Sequence, residues 1–222
     1  MNTKYHPKQA LLAEHMNGQL PAATSAALAA HLEQCSYCQA RASELEEQAA
    51  EQAFSGVVEV DNQLLSSLLS QLDKQPATAT VDGRSEHPSS LTVNGETFQL
   101  PRSLQPLVAQ LGSWRRLGSK VWSADIDLGE QAAKASFLYI DRDTRIPRHT
   151  HEGDEITLLI GGNLADESGV YHEGDFLCKT PEDEHQPYTS NNSCLCFTVL
   201  SAPLTFTGPL GRLANPLLRL LF

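Results

Sequence analysis

Apolar residues recur at helical spacing through the first third of the chain and at alternating spacing through most of the rest. Over residues 7–17, Pro7 suits a first helical turn, Leu11, Leu12 and His15 follow, and Gly18 supplies a stop. A second helix is predicted from near Pro21 through an alanine-rich stretch to about Gln34, with Leu28 and Leu32 on one face. A third runs from about Ser36 to Gln52, rich in Ala and Glu, until Gly56 breaks the pattern. Asp61 can cap a fourth, whose Leu64, Leu65, Leu68, Leu69 and Leu72 make a wide apolar stripe.

From Gln75 to Ser90 the hydrophobic period is lost and Pro, Thr, Ser and Ala accumulate. The sequence LTVNGETFQL, residues 91–100, then signals a hairpin, with Asn94-Gly95 supplying the positive φ angles of a tight turn. Short alternating runs follow at Lys120–Leu128, Ala135–Ile140, Ile156–Ile160, Gly169–Cys178 and Cys194–Leu200, separated by glycine or polar clusters. That texture predicts an antiparallel sandwich or small barrel. The expected class is therefore α+β: a small bundle of about four helices over residues 1–76, a linker over 77–90, and an all-β domain over 91–222.

Charge narrows the function classes. The formal net charge is −11, with 16 basic and 27 acidic residues. No basic stripe exists, so direct nucleic-acid binding is disfavoured, and an acidic surface suits either solubility or a basic partner. No apolar segment is long enough to span a bilayer, and MNTKYHPKQALLAEH lacks a signal core, which predicts a cytoplasmic protein without a membrane role. The apolar LANPLLRLLF at the end is expected to dock on its own domain or on a second subunit. The 5 cysteines, an odd number, read as metal ligands and free thiols rather than a disulfide framework. Cys178, Cys194 and Cys196 read as buried free cysteines.

Two candidate metal-ligand sets differ in chemical type. In the first, His31 and Cys35 lie at i and i+4 on one helix face, and Cys38 reaches the same point if the chain bends at Ser36-Tyr37. One imidazole and two thiolates leave a tetrahedral zinc one ligand short. His6 supplies the fourth if the first helix folds back; His15 competes, but its register places it with Leu11 and Leu12. A redox pair at Cys35 and Cys38 is the alternative. In the second set, His149 and His151 share one side of a strand, Glu155 follows after a turn, and His185 comes from the downstream segment GDFLCKTPEDEHQP. Three nitrogens and one oxygen suit zinc, iron, manganese or nickel, and leave room for an open position.

These residues carry resemblances. His6 followed by His31-x-x-x-Cys35-x-x-Cys38 resembles the zinc-binding anti-sigma family, whose helical domain wraps a sigma factor of the extracytoplasmic-function group. That resemblance implies that the Leu64, Leu65, Leu68, Leu69 and Leu72 stripe clamps the sigma factor; packing on the domain's own helices is the competing reading. His149-x-His151-x-x-x-Glu155 with Gly161 or Gly162, then Gly174, Pro181 and His185, resembles the two cupin motifs, which implies a β-barrel holding one metal, expected to be zinc here. The second motif lacks the usual glycine between Pro181 and His185. The order of the pieces resembles the ChrR-type anti-sigma factors. It implies a non-enzymatic regulator that holds its sigma factor inactive and releases it under singlet-oxygen-type oxidative stress. The alternative is a metal-dependent cupin enzyme, a dioxygenase or isomerase, with a helical zinc module; against it, no obvious substrate-binding arginine pair accompanies the metal motif, since the nearby Arg145 and Arg148 read equally as surface charges.

Overall fold

A computed structural model describes residues 3–56, 62–72, 87–129, 133–208 and 215, without the side chains of Asn62 and Leu72. Asp61, the expected linker up to residue 86, and LANPLLRLLF apart from Asn215 lie outside the described residues.

Helix α1 (Gln9–Met16) ends where the sequence places its stop. Gly18 takes φ +65, and its N–H bonds the His15 carbonyl while Gln19 N–H reaches back to Glu14, closing the last turn with a left-handed residue. Helix α2 (Ala22–Leu32) buries Ala23, Ala27, Leu28, Ala30 and His31. Its small side chains let the helix axis approach its neighbours closely. Helix α3 (Ser36–Ala53) starts at Cys35, whose sulfur accepts the Cys38 N–H, and helix α4 spans Asn62–Leu72.

The β region opens with the expected hairpin, β1 (Ser90–Val93) and β2 (Glu96–Gln99), turning through Asn94 at φ 50 and Gly95 at φ 82. A 3-10 helix (Arg102–Gln110) follows. Its free N–H groups at Arg102 and Ser103 each donate to a Glu33 carboxylate oxygen at 2.7 Å, so the end of α2 caps it.

The remaining strands are β3 (Arg115–Arg116), β4 (Val121–Ile126), β5 (Lys134–Ile140), β6 (Thr144–Arg145), β7 (His149–His151), β8 (Glu155–Asp166), β9 (Gly169–His172), β10 (Phe176–Lys179), β11 (Tyr188–Thr189), β12 (Cys194–Leu200) and β13 (Leu204–Phe206). They pair antiparallel in the order β3-β4-β5-β12-β8-β11-β6, with β9 and β10 also on β8, and with β7 paired to β13. The strand expected over Gly169–Cys178 divides in two, because Gly174 takes φ +86 and turns the chain at residues 173–175. Gly162, at φ +77, sits where a Cβ would overlap the Ser193 carbonyl oxygen, so β12 can close onto β8.

The sheet has two apolar faces. Leu28 and Ala27 of α2 belong to one buried cluster with Leu104, Phe137, Leu158, Phe176, Leu195 and Phe197. A second cluster, with Ile140, Leu159, Leu164, Tyr171, Cys194 and Cys196, fills the other face. The helical segment therefore shares one core with the sheet. Cys178 departs from expectation: it is exposed on β10, whereas Cys194 and Cys196 are buried.

Two candidate metal centres

The first centre gathers ligands from three short stretches. His6 stands in the extended segment before α1, His31 ends α2, and Cys35 and Cys38 open α3. One ligand atom from each of the four lies within 4.8 Å of the other three. His6 Nδ1 is 3.4 Å from Cys35 Sγ and 3.5 Å from Cys38 Sγ. A tetrahedron with metal–sulfur bonds of about 2.3 Å and metal–nitrogen bonds of about 2.0 Å has S···N edges of about 3.5 Å, so the spacing fits one cation. His15 turns elsewhere, with Nδ1 on Ser25 Oγ at 2.9 Å.

Tautomers strengthen the fit. His31 Nδ1 lies 2.7 Å from the Gly174 carbonyl oxygen, which can only accept, so Nδ1 carries the hydrogen and Nε2 presents a lone pair. That Nε2 is buried with no hydrogen-bond partner among the described residues, a costly state unless a cation takes it. Burial lowers the His31 pKa, which keeps the imidazole neutral, as a ligand must be.

The second centre is built of imidazole and carboxylate. His149 and His151 share one side of β7, Glu155 begins β8, and His185 is held against β7 by reciprocal backbone bonds with His149, both 3.0 Å. Thr150 points the other way and donates to the Pro181 and Asp183 carbonyls, fixing β7 to the loop that carries His185. That loop turns without its missing glycine: Thr180 N–H donates to Asp183 Oδ2 at 2.8 Å, and Asp183 N–H returns to the Thr180 carbonyl.

The imidazole nitrogens converge. His149 and His185 bring their Nε2 atoms to 3.0 Å, His151 Nε2 lies 3.3 Å from His185 Nε2, and Glu155 Oε2 is 3.1 Å from His151 Nε2. His149 Nδ1 faces the Pro147 carbonyl at 2.9 Å, and His185 Nδ1 faces Asp166 Oδ2 at 3.4 Å. Both Nδ1 atoms thus carry hydrogens, and two Nε2 lone pairs point at each other. Only a cation or a shared proton relieves that arrangement. Burial, then the neighbouring His185, hold His149 at about 4, so a proton is disfavoured. Burial alone would raise Glu155, but its hydrogen bond to His151 and the surrounding histidines outweigh that and bring it to about 2, so it is anionic. Three imidazole nitrogens and one carboxylate oxygen fit a divalent cation.

A curated relative, the anti-sigma-E factor ChrR of Cereibacter sphaeroides, is 30% identical over 228 residues, covering 99% of this chain and 100% of the relative. The chain belongs to the ChrR family. Residues 110–203 match the family described as a ChrR cupin-like domain. Among solved structures, Rhodobacter sphaeroides SigE in complex with the anti-sigma ChrR matches with a TM-score of 0.66 and 26% identity, over 90% of this chain and 99% of that one.

Four supporting groups in this ChrR-family chain carried no motif: Asp166, Tyr171, Lys179 and Asp175. Asp166 receives His185 Nδ1, the Tyr171 hydroxyl at 2.5 Å and Lys179 Nζ at 3.2 Å. Asp175 is 1% exposed and accepts the backbone N–H groups of Lys4, Tyr5 and His172. An aspartate beside Gly174 marks a turn, but nothing local tells which distant backbone it fastens. Arg145 and Arg148, the arginines near the metal motif, are otherwise engaged: Arg145 lies over the Tyr188 ring at 4.6 Å, and Arg148 pairs with Glu167.

Proposed function

We propose that this chain is an anti-sigma factor, a regulator and not an enzyme, that binds and inhibits a sigma factor of the extracytoplasmic-function group in the cytoplasm. The observation that carries this is the end-to-end likeness to a protein named anti-sigma-E factor ChrR, together with the likeness to an anti-sigma ChrR solved in complex with SigE. In this reading, residues 1–76 form the inhibitory helical domain around a structural zinc on His6, His31, Cys35 and Cys38. Residues 77–90 link it to a cupin domain over 91–222, where His149, His151, Glu155 and His185 hold a second divalent cation, also zinc. Two thiolates and two imidazoles suit zinc by softness, and the neutral Nε2 of His31 favours it.

The sigma-binding surface is the apolar face of α4. Leu64, Leu65, Leu68 and Leu69 are 60%, 44%, 51% and 54% exposed, which a local-core role for the stripe does not explain. An amphipathic helix of this kind suits docking into an apolar groove. The side chain of Leu72, the fifth candidate, lies outside the described set. No helix among the described residues is long and apolar enough to cross a membrane, in keeping with action on a cytoplasmic polymerase subunit. Release follows singlet-oxygen-type oxidative stress, with damage or loss at one of the metal centres as the differential free energy.

The test is co-purification of the full chain with extracytoplasmic-function sigma factors of its own genome. A one-to-one complex is expected. Leu65→Ser with Leu68→Ser should weaken it more than tenfold while changing unfolding stability by about 0.5 kcal/mol or less, because both side chains are already solvated. A chain that binds no such sigma factor, or binds one equally well with the doubly substituted α4, overturns the corresponding part of the reading.

A further inference from the structure

The two metal centres touch the same piece of β-structure. The turn between β9 and β10 holds two ligands of the thiolate centre. Its Gly174 carbonyl fixes the ring of His31, and its Asp175 carboxylate receives the Lys4 and Tyr5 N–H groups, immediately before His6. Phe176 N–H completes the grip on the Tyr5 carbonyl at 3.0 Å. The packing is tight: a Cβ on Gly174 would lie 2.8 Å from Thr3 Cγ2 and 3.3 Å from Gln34 Oε1.

The same hairpin also holds the imidazole centre. Tyr171, on β9, packs its ring edge-on against Tyr5 with centroids 4.7 Å apart and donates its hydroxyl to Asp166. Asp166, at the far end of β8, orients His185 through Nδ1. Glu155 starts that same strand. An unbroken line of contacts, buried at His185, Asp166 and Tyr171 and half-buried at Tyr5, therefore runs from His185 to His6, with the Asp175 turn as its second strand.

We propose that the two centres are energetically coupled through Tyr171 and the β9–β10 turn, so that emptying the imidazole centre loosens the thiolate centre. Asp166, Tyr171 and Asp175 are positioning residues in this scheme: Asp166 contacts His185 directly, while Tyr171 acts through Asp166 and Tyr5, and Asp175 through the backbone that leads into His6. Physically, a cation on His185 locks its ring, hence the Asp166 carboxylate, hence the Tyr171 hydroxyl and the ring that Tyr5 rests on. Without it, these groups gain freedom that the backbone carrying His6 shares. Coupling of this kind is reciprocal, so emptying the thiolate centre must weaken the imidazole centre by the same factor in affinity.

The inference rests on both centres holding a cation, as proposed above, and its test needs no sigma factor. The full-length chain is loaded with cobalt(II), whose thiolate absorption reports the cysteine-bearing centre alone. Loss of that signal to a chelator is timed in the wild type, in Glu155→Gln, in Tyr171→Phe and in the double variant. Glu155→Gln, which empties the imidazole centre, is expected to speed the loss about fivefold or more. In the Tyr171→Phe background the same change should have an effect of about twofold or less, because the hydroxyl that joins the halves is gone. An equal effect in both backgrounds, or none in the wild type, overturns the coupling. If Tyr171→Phe fails to fold, the absence of any Glu155→Gln effect in the wild type still overturns the coupling. A chain that shows no thiolate–cobalt absorption overturns the metal reading of the first centre as well, and the two failures are thereby told apart.

Discussion

Cation binding at the thiolate centre must expel protons, and Cys38 sets the minimum. Burial, then the neighbouring Cys35 and the hydrogen bond between them, push the Cys38 thiol up to about 12. A cation is held by the thiolate, so binding near neutral pH displaces the Cys38 proton. His31 adds none above its ordinary range, since burial lowers it and its Nε2 is already bare. The sign follows: the cation-free form holds more protons, so raising the pH favours the bound form. Well below the Cys38 pKa, one proton released makes the apparent affinity rise tenfold per pH unit, about 1.4 kcal/mol. From pH 7 to 9 the Cys38 share alone is thus about a hundredfold, or about 2.7 kcal/mol. The assay is a competition titration of the full chain with cobalt(II) and a chelator of known pH dependence, read at the thiolate–cobalt absorption. A weakly buffered titration counts the protons, with at least one per cation expected. A centre whose affinity is flat across that range, or that releases no proton on binding, refutes the ligation by Cys38.

Three further outcomes follow from particular contacts. Leu28, fully buried between α2 and the sheet, becomes a cavity in Leu28→Ala; a loss of about 2–5 kcal/mol is expected in denaturant unfolding, with helical and near-ultraviolet aromatic signals melting together because the core is shared. In the cation-free chain, burial and His185 hold His149 at about 4 against an ordinary 6.5, so the unfolded chain takes up the proton first. Stability should then fall as the pH drops from about 6.5, by roughly 2 kcal/mol at pH 5, and His149→Gln should flatten that slope in urea titrations. Asp183→Ala removes the carboxylate that accepts from Thr180 N–H, costing about 1 kcal/mol. It should lower cation content at the imidazole centre while the thiolate–cobalt absorption of freshly loaded protein stays in place; equal loss at both centres would show that the turn supports the whole fold rather than His185.

What could be read from the sequence was what is local. The C-terminal end of α1 and the turn of the β1–β2 hairpin are written in Gly18 and Asn94-Gly95, residues whose positive φ angles punctuate the chain wherever they occur, whereas α1 begins at Gln9 and leaves Pro7 before its first turn. The strand pattern gave the sheet because alternation needs only neighbours. The two-residue strands β3, β6 and β11 left no pattern, since two residues cannot alternate; they exist because a longer neighbour offers its edge. The spacings His31, Cys35, Cys38 and His149, His151 were visible as candidate sets because spacing along a helix or strand is itself geometry. Their supports were not. Asp175 acts across about 170 residues of chain on the backbone of Lys4 and Tyr5, and Asp166 reaches His185 from the opposite end of a strand whose first residue is Glu155. The sequence texture likewise divides helices from strands, and that division misses where the energy lies. Alanines 23, 27 and 30 read as helix formers, yet all three are fully or almost fully buried in the cluster that joins α2 to the sheet. An alanine-rich face is ambiguous by itself, because small side chains suit an exposed helix as well as one pressed close against a partner. Only the partner decides, and here it is a sheet whose own turn fastens the ligands of the helical centre. The helical unit is therefore expected to bind its cation more loosely when separated from residues 91–222 than within the full chain.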